Sequence, residues 1–461
     1  VAYRDLREFL DVLRAHGELI DVHRPVDLYL EVGKALRATG SIGGPAVMFH
    51  QNGTSFPMVG GIYNSRSKAL LAFEATESKV FEKILAGLEH PIEPTRAAGP
   101  VPAQEVVVRG EQIDLGAVPI PTYSPDDGGP FITPGIVCSH DPETGVPDIG
   151  HYRFQIMDKK TMSFLAQPVH RFGKHIVKAR KLGHKTYPAS VVIGAEPLLA
   201  YTCTIQVPDG TNDWAVAGGL RGAPVELATG VSVPVDIPAR AEIVIEFEVD
   251  LTEDIYEGPL GEYTGYYTPG SMKPIARVTA ITHRKDAIGQ ALLTGVPPTE
   301  NHILKQLPFE ASFVQAMRKQ FPTIEGASIP PSGGVSFYTV ISMRPRYDGE
   351  ARQVILAAMA SNIRPKFVIV VEPDIDIHNS AEVEWALAFR VQPHRDTMIV
   401  NGLPAGPLDP SVDDSLPLDQ RTGSAIGIDA TRPFGQPFSK VADVPGWQEY
   451  DFPELRTVRP R

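Results

Sequence analysis

Three hydrophobic periodicities follow one another along this chain of 461 residues, and their order restricts the folds open to it. The first is helical. Leu6, Phe9, Leu10 and Leu13 fall at i, i+3, i+4 and i+7, with Gly17 as a stop signal. A second helical stretch runs over roughly residues 67–88, and the proline- and glycine-rich run from Pro91 to Pro130 marks a boundary. The second periodicity is that of short strands. Ile132–Cys138, Tyr152–Met157, Ser163–Gln167, Ser190–Ile193, Glu242–Val249, Arg277–Thr282 and Gln290–Leu293 are rich in β-branched residues and separated by turn signals. The third is an alternation. Helices near 309–320, 351–361 and 381–389 each precede a strand, at 336–343, 367–371 and 398–400. That order predicts a β region followed by a layered sheet with crossover helices. The segment after Gly402 is turn-rich and is expected to wrap over the body or a partner subunit. No internal repeat is visible.

The length exceeds one ordinary core and suggests two to four domains. A formal net charge of -12, with no basic run or stripe, argues against a nucleic-acid partner. The longest clean apolar run, Phe367–Val371, is far short of a membrane span, so no transmembrane segment is expected. The amphipathic start has no secretory pattern. Two cysteines, Cys138 and Cys203, exclude a disulfide framework and suit a reducing compartment, so a cytoplasmic location is expected.

No phosphate-binding loop, dinucleotide fingerprint, H-E-x-x-H, paired C-x-x-C or nucleophile elbow is present. A β-barrel flavin site needs none of these. Four local features stand out. In Glu257-Gly258-Pro259-Leu260-Gly261-Glu262, followed by Tyr263-Thr264-Gly265-Tyr266, a Gly-Pro-x-Gly turn separates two acids. Such a turn can hold two carboxylates at a set separation, one to donate a proton and one to hold a cation. The same residues would also serve as a solvated loop. His151-Tyr152-Arg153 lies on an expected strand, where a half-buried guanidinium requires an anionic partner, either a substrate carboxylate or a structural one. Gln167-Pro168-Val169-His170, with His175 beyond it, has no standard zinc spacing. The run from Asp213 to Gly222 (DWAVAGGLRG) fits either tight packing against a neighbour or a plain turn entering a strand.

Taken in order, these features resemble the UbiD decarboxylase family over nearly the whole chain. Asn64-Ser65-Arg66, Asp213–Glu226, Glu257–Tyr266, Thr294–Leu304, Lys319–Pro322 and Gly427–Thr431 carry the resemblance. It implies an α+β fold, with a split β-barrel flavin-binding domain at 111–300, preceded by an α/β portion at 1–110 and followed by an α/β oligomerisation domain with its tail at 301–461. It also implies reversible, non-oxidative decarboxylation of an aromatic, heteroaromatic or α,β-unsaturated carboxylic acid, with release of CO2. Loss of CO2 from an sp2 carbon needs an electron sink, which in this family is prenylated FMN supplied by a flavin prenyltransferase. By resemblance, Arg153 orients the substrate carboxylate, Glu257 holds that arginine and Glu262 transfers the proton. Asp148, His151, Tyr152, Arg153, Pro168, Val169, His170, Cys203, Thr204, Ile205 and Asp213 would contact the cofactor.

The resemblance further implies a divalent metal, Mn2+ or Mg2+, with K+ possible, on Asp148, His170 and Asp213. Two of these depart from the family pattern, with Asp148 in place of Asn and Asp213 in place of Glu; both remain oxygen ligands for a hard cation. Ala425 stands where many relatives have a phosphate-binding lysine, and Arg421 is a candidate replacement. Asn301 and His302, at the mouth of the expected pocket, would favour a hydroxylated or heteroaromatic acid; alternatively they cap the next helix. A homodimer or homohexamer is implied. The departures also leave open a UbiD-like flavin protein without decarboxylase activity, acting as an oxidoreductase, carrier or assembly subunit.

Overall fold

A computed structural model describes residues 3–446 and 450, apart from 206, 407 and 414. The first helix, Leu6–Ala15, forms as its periodicity requires. Asp5 accepts from the Glu8 N–H as N-cap, and Leu6, Phe9, Leu10 and Leu13 are buried. The stretch expected as one helix is two, Arg66–Ala72 and Val80–Glu89, because Glu74 takes a left-handed φ of 46° between them. The N-terminal part also contains a four-stranded sheet that the periodicity did not reveal. Leu19–Pro25, Ala46–Gln51 and Met58–Gly60 are joined there by Gly289–Gln290 from much later in the chain.

The β body is a nine-stranded antiparallel sheet curled into a half-barrel. Its spine is the pair Ile243–Glu257 and Ser271–His283, which bends where the register shifts at Glu246/Phe247 and again at Asp250/Asp254. The inside is filled by aromatic rings. Phe154 lies 5.3 Å from Phe164 and 5.4 Å from Phe247, and Phe172 packs 5.4 Å from Phe164. Because side chains alternate along a strand, burying Phe154 inward sends Arg153 and Gln155 to the opposite face. That alternation is what aims the arginine at the functional site.

The C-terminal part is a five-stranded sheet in the order Ile324–Ser328, Tyr338–Met343, Phe367–Val371, Thr422–Asp429, Thr397–Pro404. The expected wrapping tail is therefore corrected: Thr422–Asp429 is an inner strand of this sheet. Its small residues disguised it. They are required by helix Glu350–Met359, since a Cβ on Gly427 would sit 2.1 Å from Ile355 Cγ2. Helix Glu300–Arg318 starts nine residues before the expected Phe309 and ties the layers together. Leu304, Leu307 and Ala311 join the N-terminal core, while Phe313, Val314 and Met317 join the C-terminal one. The DWAVAGGLRG segment is helix Asp213–Arg221, capped by Asn212. Its glycines mark close packing, since a Cβ on Gly218 or Gly219 would lie 2.2 Å from the Ile92 or Gly87 carbonyl oxygen. Among the described residues no helix is long and apolar enough to cross a membrane.

Candidate active site

Arg153 is bound from two sides by the two acids of the Gly-Pro-x-Gly turn. Glu257 Oε1 accepts from Arg153 Nη2 at 2.6 Å and from Nε at 3.2 Å, and Glu262 accepts from Nη1. The cluster is withdrawn from solvent, with side-chain exposures of 8% for Arg153, 1% for Glu257 and 12% for Glu262. Burial works against the guanidinium's charge. The charges of Glu262 and Glu257 outweigh it and leave the Arg153 pKa above its ordinary value.

The turn itself is held by Gln155, the neighbour of Arg153 on the same face. Its Oε1 accepts from Gly258 N–H at 2.7 Å and its Nε2 donates to the Gly128 carbonyl at 2.6 Å. Gly128 N–H donates to the Pro259 carbonyl, and Gly261 N–H to Asp127 Oδ1 at 3.0 Å. Gly258 and Gly128 approach back to back, so closely that a Cβ on either would fall 2.5 Å from the other's Cα. Close approach, not a left-handed φ, is the reason for glycine at 258.

This cluster forms one wall of a cavity of about 310 Å³, at the lower end of the roughly 300–1,000 Å³ usual for small-ligand sites. Arg153 and Glu262 line it; Glu257 stands behind. Apolar wall is supplied by Leu165, Leu260, Leu292, Leu304 and Val335. Two buried polar atoms on the lining have no partner among the described residues, His151 Nδ1 and Thr294 Oγ1. His151 is kept neutral by burial, its pKa lowered to about 4. A cavity with apolar walls and orphaned hydrogen-bonding atoms suits the chemistry of a heteroaromatic ring with polar edges, such as a flavin.

The other residues expected at the site divide. Tyr152, His170 and Thr204 line the cavity, as does Asn301. Pro168 and Val169 are solvent-exposed and lie off it, and Cys203 and Ile205 pack into the N-terminal core. His302 is corrected as a pocket residue: it is fully buried and does not line the cavity. Its Nδ1 accepts from Thr299 N–H at 3.1 Å as part of the cap of helix Glu300–Arg318, and its Nε2 donates to the Tyr263 carbonyl at 2.6 Å. Ala425 is buried in the C-terminal core, and neither it nor Arg421 lines the cavity.

For a divalent metal the donors do not fit as placed. Among the described residues no group of three or more His, Cys, Asp or Glu side chains is assembled that could hold an ion. Asp148 and Asp213 do meet, both buried, but Arg171 joins them. Its Nε lies 2.8 Å from Asp148 Oδ1 and its Nη2 is paired with Asp213. Burial, opposed by Arg171 and reinforced by Asp213, raises the Asp148 pKa above the ordinary carboxylate range. The sequence reading missed this arginine, although it directly follows His170. It also missed Lys305 and Phe309, which with Asn301 form an i, i+4, i+8 stripe of helix Glu300–Arg318 facing the cavity. The signal was available once that helix was extended back to residue 300.

Three family models match the chain in succession. They are the N-terminal domain of 3-octaprenyl-4-hydroxybenzoate carboxy-lyase over residues 10–88, its Rift-related domain over 95–297 and its C-terminal domain over 302–430. The chain belongs to the UbiD family, and it is a carboxy-lyase of that class. Among solved structures, it is 32% identical to the UbiD-class enzyme HmfF from Pelotomaculum thermopropionicum in complex with FMN. That match has a TM-score of 0.89 and covers 97% of this chain and 99% of that one. The 3,4-dihydroxybenzoic acid decarboxylase from Enterobacter cloacae is 28% identical, with a TM-score of 0.87 over 97% and 100% of the two chains. Vanillic acid decarboxylase from Sedimentibacter hydroxybenzoicus is 26% identical, with a TM-score of 0.86 over 97% and 98%.

Proposed function

We propose that the chain catalyses reversible, non-oxidative decarboxylation of an aromatic, heteroaromatic or α,β-unsaturated acid, using prenylated FMN bound in the 310 Å³ cavity. One observation carries the reading: a buried arginine at the cavity wall is shared between one carboxylate behind it and one facing the cavity. Glu257 is the anchor, because it is the more buried acid and engages two guanidinium nitrogens. The Arg153 edge held by Glu262 is the one a substrate carboxylate can take. Its arrival at Nη1 releases Glu262 toward the substrate. In its protonated form Glu262 can then donate to the carbon that has lost CO2, and as a carboxylate it takes that proton back in the reverse direction.

The flavin, when bound, supplies the place to which the electron pair left by CO2 is moved. His151, Thr204 and Thr294 would hold its polar edges, and the leucines of the lining exclude water from the reacting carbon. The HmfF structures are described with FMN and, for an evolved dimeric form, with prFMN, which supports this cofactor. We take the protein to be a homo-oligomer, a dimer or a hexamer, measurable by light scattering.

The test is to purify the protein from cells that also make a flavin prenyltransferase, determine the spectrum and mass of its flavin, and follow CO2 release across a panel of aromatic, heteroaromatic and cinnamic acids. Prenylated FMN with turnover of at least one acid is the expected result. A protein that binds prenylated FMN and turns over none of them would overturn the proposal.

A further inference from the structure

The cavity contains a second cation, one with no ion-pair partner among the described residues. Lys305 lies one turn beyond Asn301 on the cavity-facing stripe of helix Glu300–Arg318. Among the described residues it forms no ion pair, and its Nζ rests 4.7 Å from the centroid of the Tyr263 ring. The carboxylate that acts on it, Glu262, is held by Arg153 in the ligand-free protein. The histidines around it bring no negative charge, and burial keeps two of them neutral, with the pKa values of His151 and His302 lowered to about 4. Burial likewise depresses the Lys305 pKa, against the pull of Glu262. Lys305 is half-buried; an ammonium drawn part-way out of water without an ion-pair partner is costly, and a binding site tolerates one where the ligand brings the missing charge.

We propose that Lys305 is a specificity-determining residue that binds a second anionic group on the substrate, so that the cavity selects aromatic acids carrying two carboxylates over those carrying one. Arg153 takes the carboxylate that leaves, and Lys305 takes the one that stays. The proposal rests on the reading of Arg153 as the carboxylate anchor. Asn301, beside Lys305, can donate to the same retained group. Phe309, one turn further on, gives the ring an apolar face.

Calorimetric binding to the flavin-loaded protein tests this without requiring turnover. The probes are benzoate and the benzene-1,3- and 1,4-dicarboxylates, and the proteins are wild type, Lys305→Met, Lys305→Arg and Arg153→Met. Wild type is expected to bind at least one diacid roughly tenfold to a hundredfold more tightly than benzoate, the worth of one charge-assisted hydrogen bond. Lys305→Met should lose that preference and Lys305→Arg should retain most of it, with flavin content equal in both. The melting temperature of Lys305→Met should hold or rise, since a half-buried charge without an ion-pair partner has been removed.

A diacid preference unchanged in Lys305→Met overturns the proposal; with a lowered melting temperature it would assign Lys305 a structural role over Tyr263. Loss of flavin from Lys305→Met overturns it in favour of a cation that serves the cofactor. Failure of the underlying reading looks different: Arg153→Met would then bind benzoate as well as wild type does.

Discussion

Replacing Glu257 with glutamine keeps the shape of the site and removes the charge that anchors Arg153. Glu257 is fully buried and accepts two guanidinium hydrogen bonds, at 2.6 and 3.2 Å. Hydrogen bonds to charged groups contribute about 1.5–3 kcal/mol and neutral ones about 0.5–1.5. Neutralising the acceptor of two bonds therefore costs about 2–3 kcal/mol, with Arg153 still held by Glu262. In a chain of this size that is a fall in melting temperature of a few degrees. The functional loss should be larger. With its anchor weakened, Arg153 is drawn toward Glu262, and a misplacement of about 1 Å costs about a hundredfold in rate. The assay is kcat/KM for an accepted acid, with flavin content and thermal melting measured on the same preparation. KM is expected to rise and kcat/KM to fall about a hundredfold or more while flavin stays bound. A double-mutant cycle with Arg153→Met should show coupling of about 0.5–3 kcal/mol, as for residues in contact. Unchanged kinetics in Glu257→Gln, or strict additivity in the cycle, would refute the anchoring role.

Three further outcomes follow from the same geometry. Arg171→Ala leaves Asp148 and Asp213 facing each other without their cation; breaking such a buried pair costs about 3–5 kcal/mol, and added Mn2+ should raise the variant's melting temperature more than wild type's. Equal Mn2+ effects would contradict that picture. Gly258→Ala forces a Cβ to 2.5 Å from Gly128 Cα, so it should destabilise by about 1–3 kcal/mol and depress kcat/KM by displacing both acids; a variant with normal melting and kinetics would contradict the back-to-back packing. Burial lowers the His302 pKa from 6.5 to about 4, so in that interval the unfolded chain binds the proton and the folded one does not. The stabilisation from neutral His302 is full above pH 6.5 and is lost as pH falls toward 4, a change of roughly 3 kcal/mol that His302→Gln should abolish; a wild-type-minus-variant stability difference that is flat with pH would contradict it.

The site was most legible where local chemistry was unusual. Two acids around a Gly-Pro-x-Gly turn, and an arginine on a strand of apolar neighbours, could be read from residue types alone, and the structure joins them. What could not be read depended on distant partners. Gly218, Gly219 and Gly427 looked like turn residues because the Ile92, Gly87 and Ile355 atoms that demand them are remote in sequence. That concealed a helix and an inner strand. His302 looked like a pocket residue because its second partner, the Tyr263 carbonyl, lies 39 positions away. Lys305 is one lysine among many until the helix is folded against the barrel. Arg171 is ordinary beside His170 until Asp148 and Asp213 converge on it from a strand and another helix.

The central claim is that Glu262 carries the proton at the carbon that loses CO2, and turnover in D2O measures it directly. The flavin-loaded wild-type protein should place one deuterium at that carbon in every product molecule. Glu262→Gln, with the same flavin content, should be slower in both decarboxylation and product hydrogen–deuterium exchange by at least about a hundredfold. A Glu262→Gln variant that releases CO2 and incorporates deuterium at wild-type rates would contradict the account.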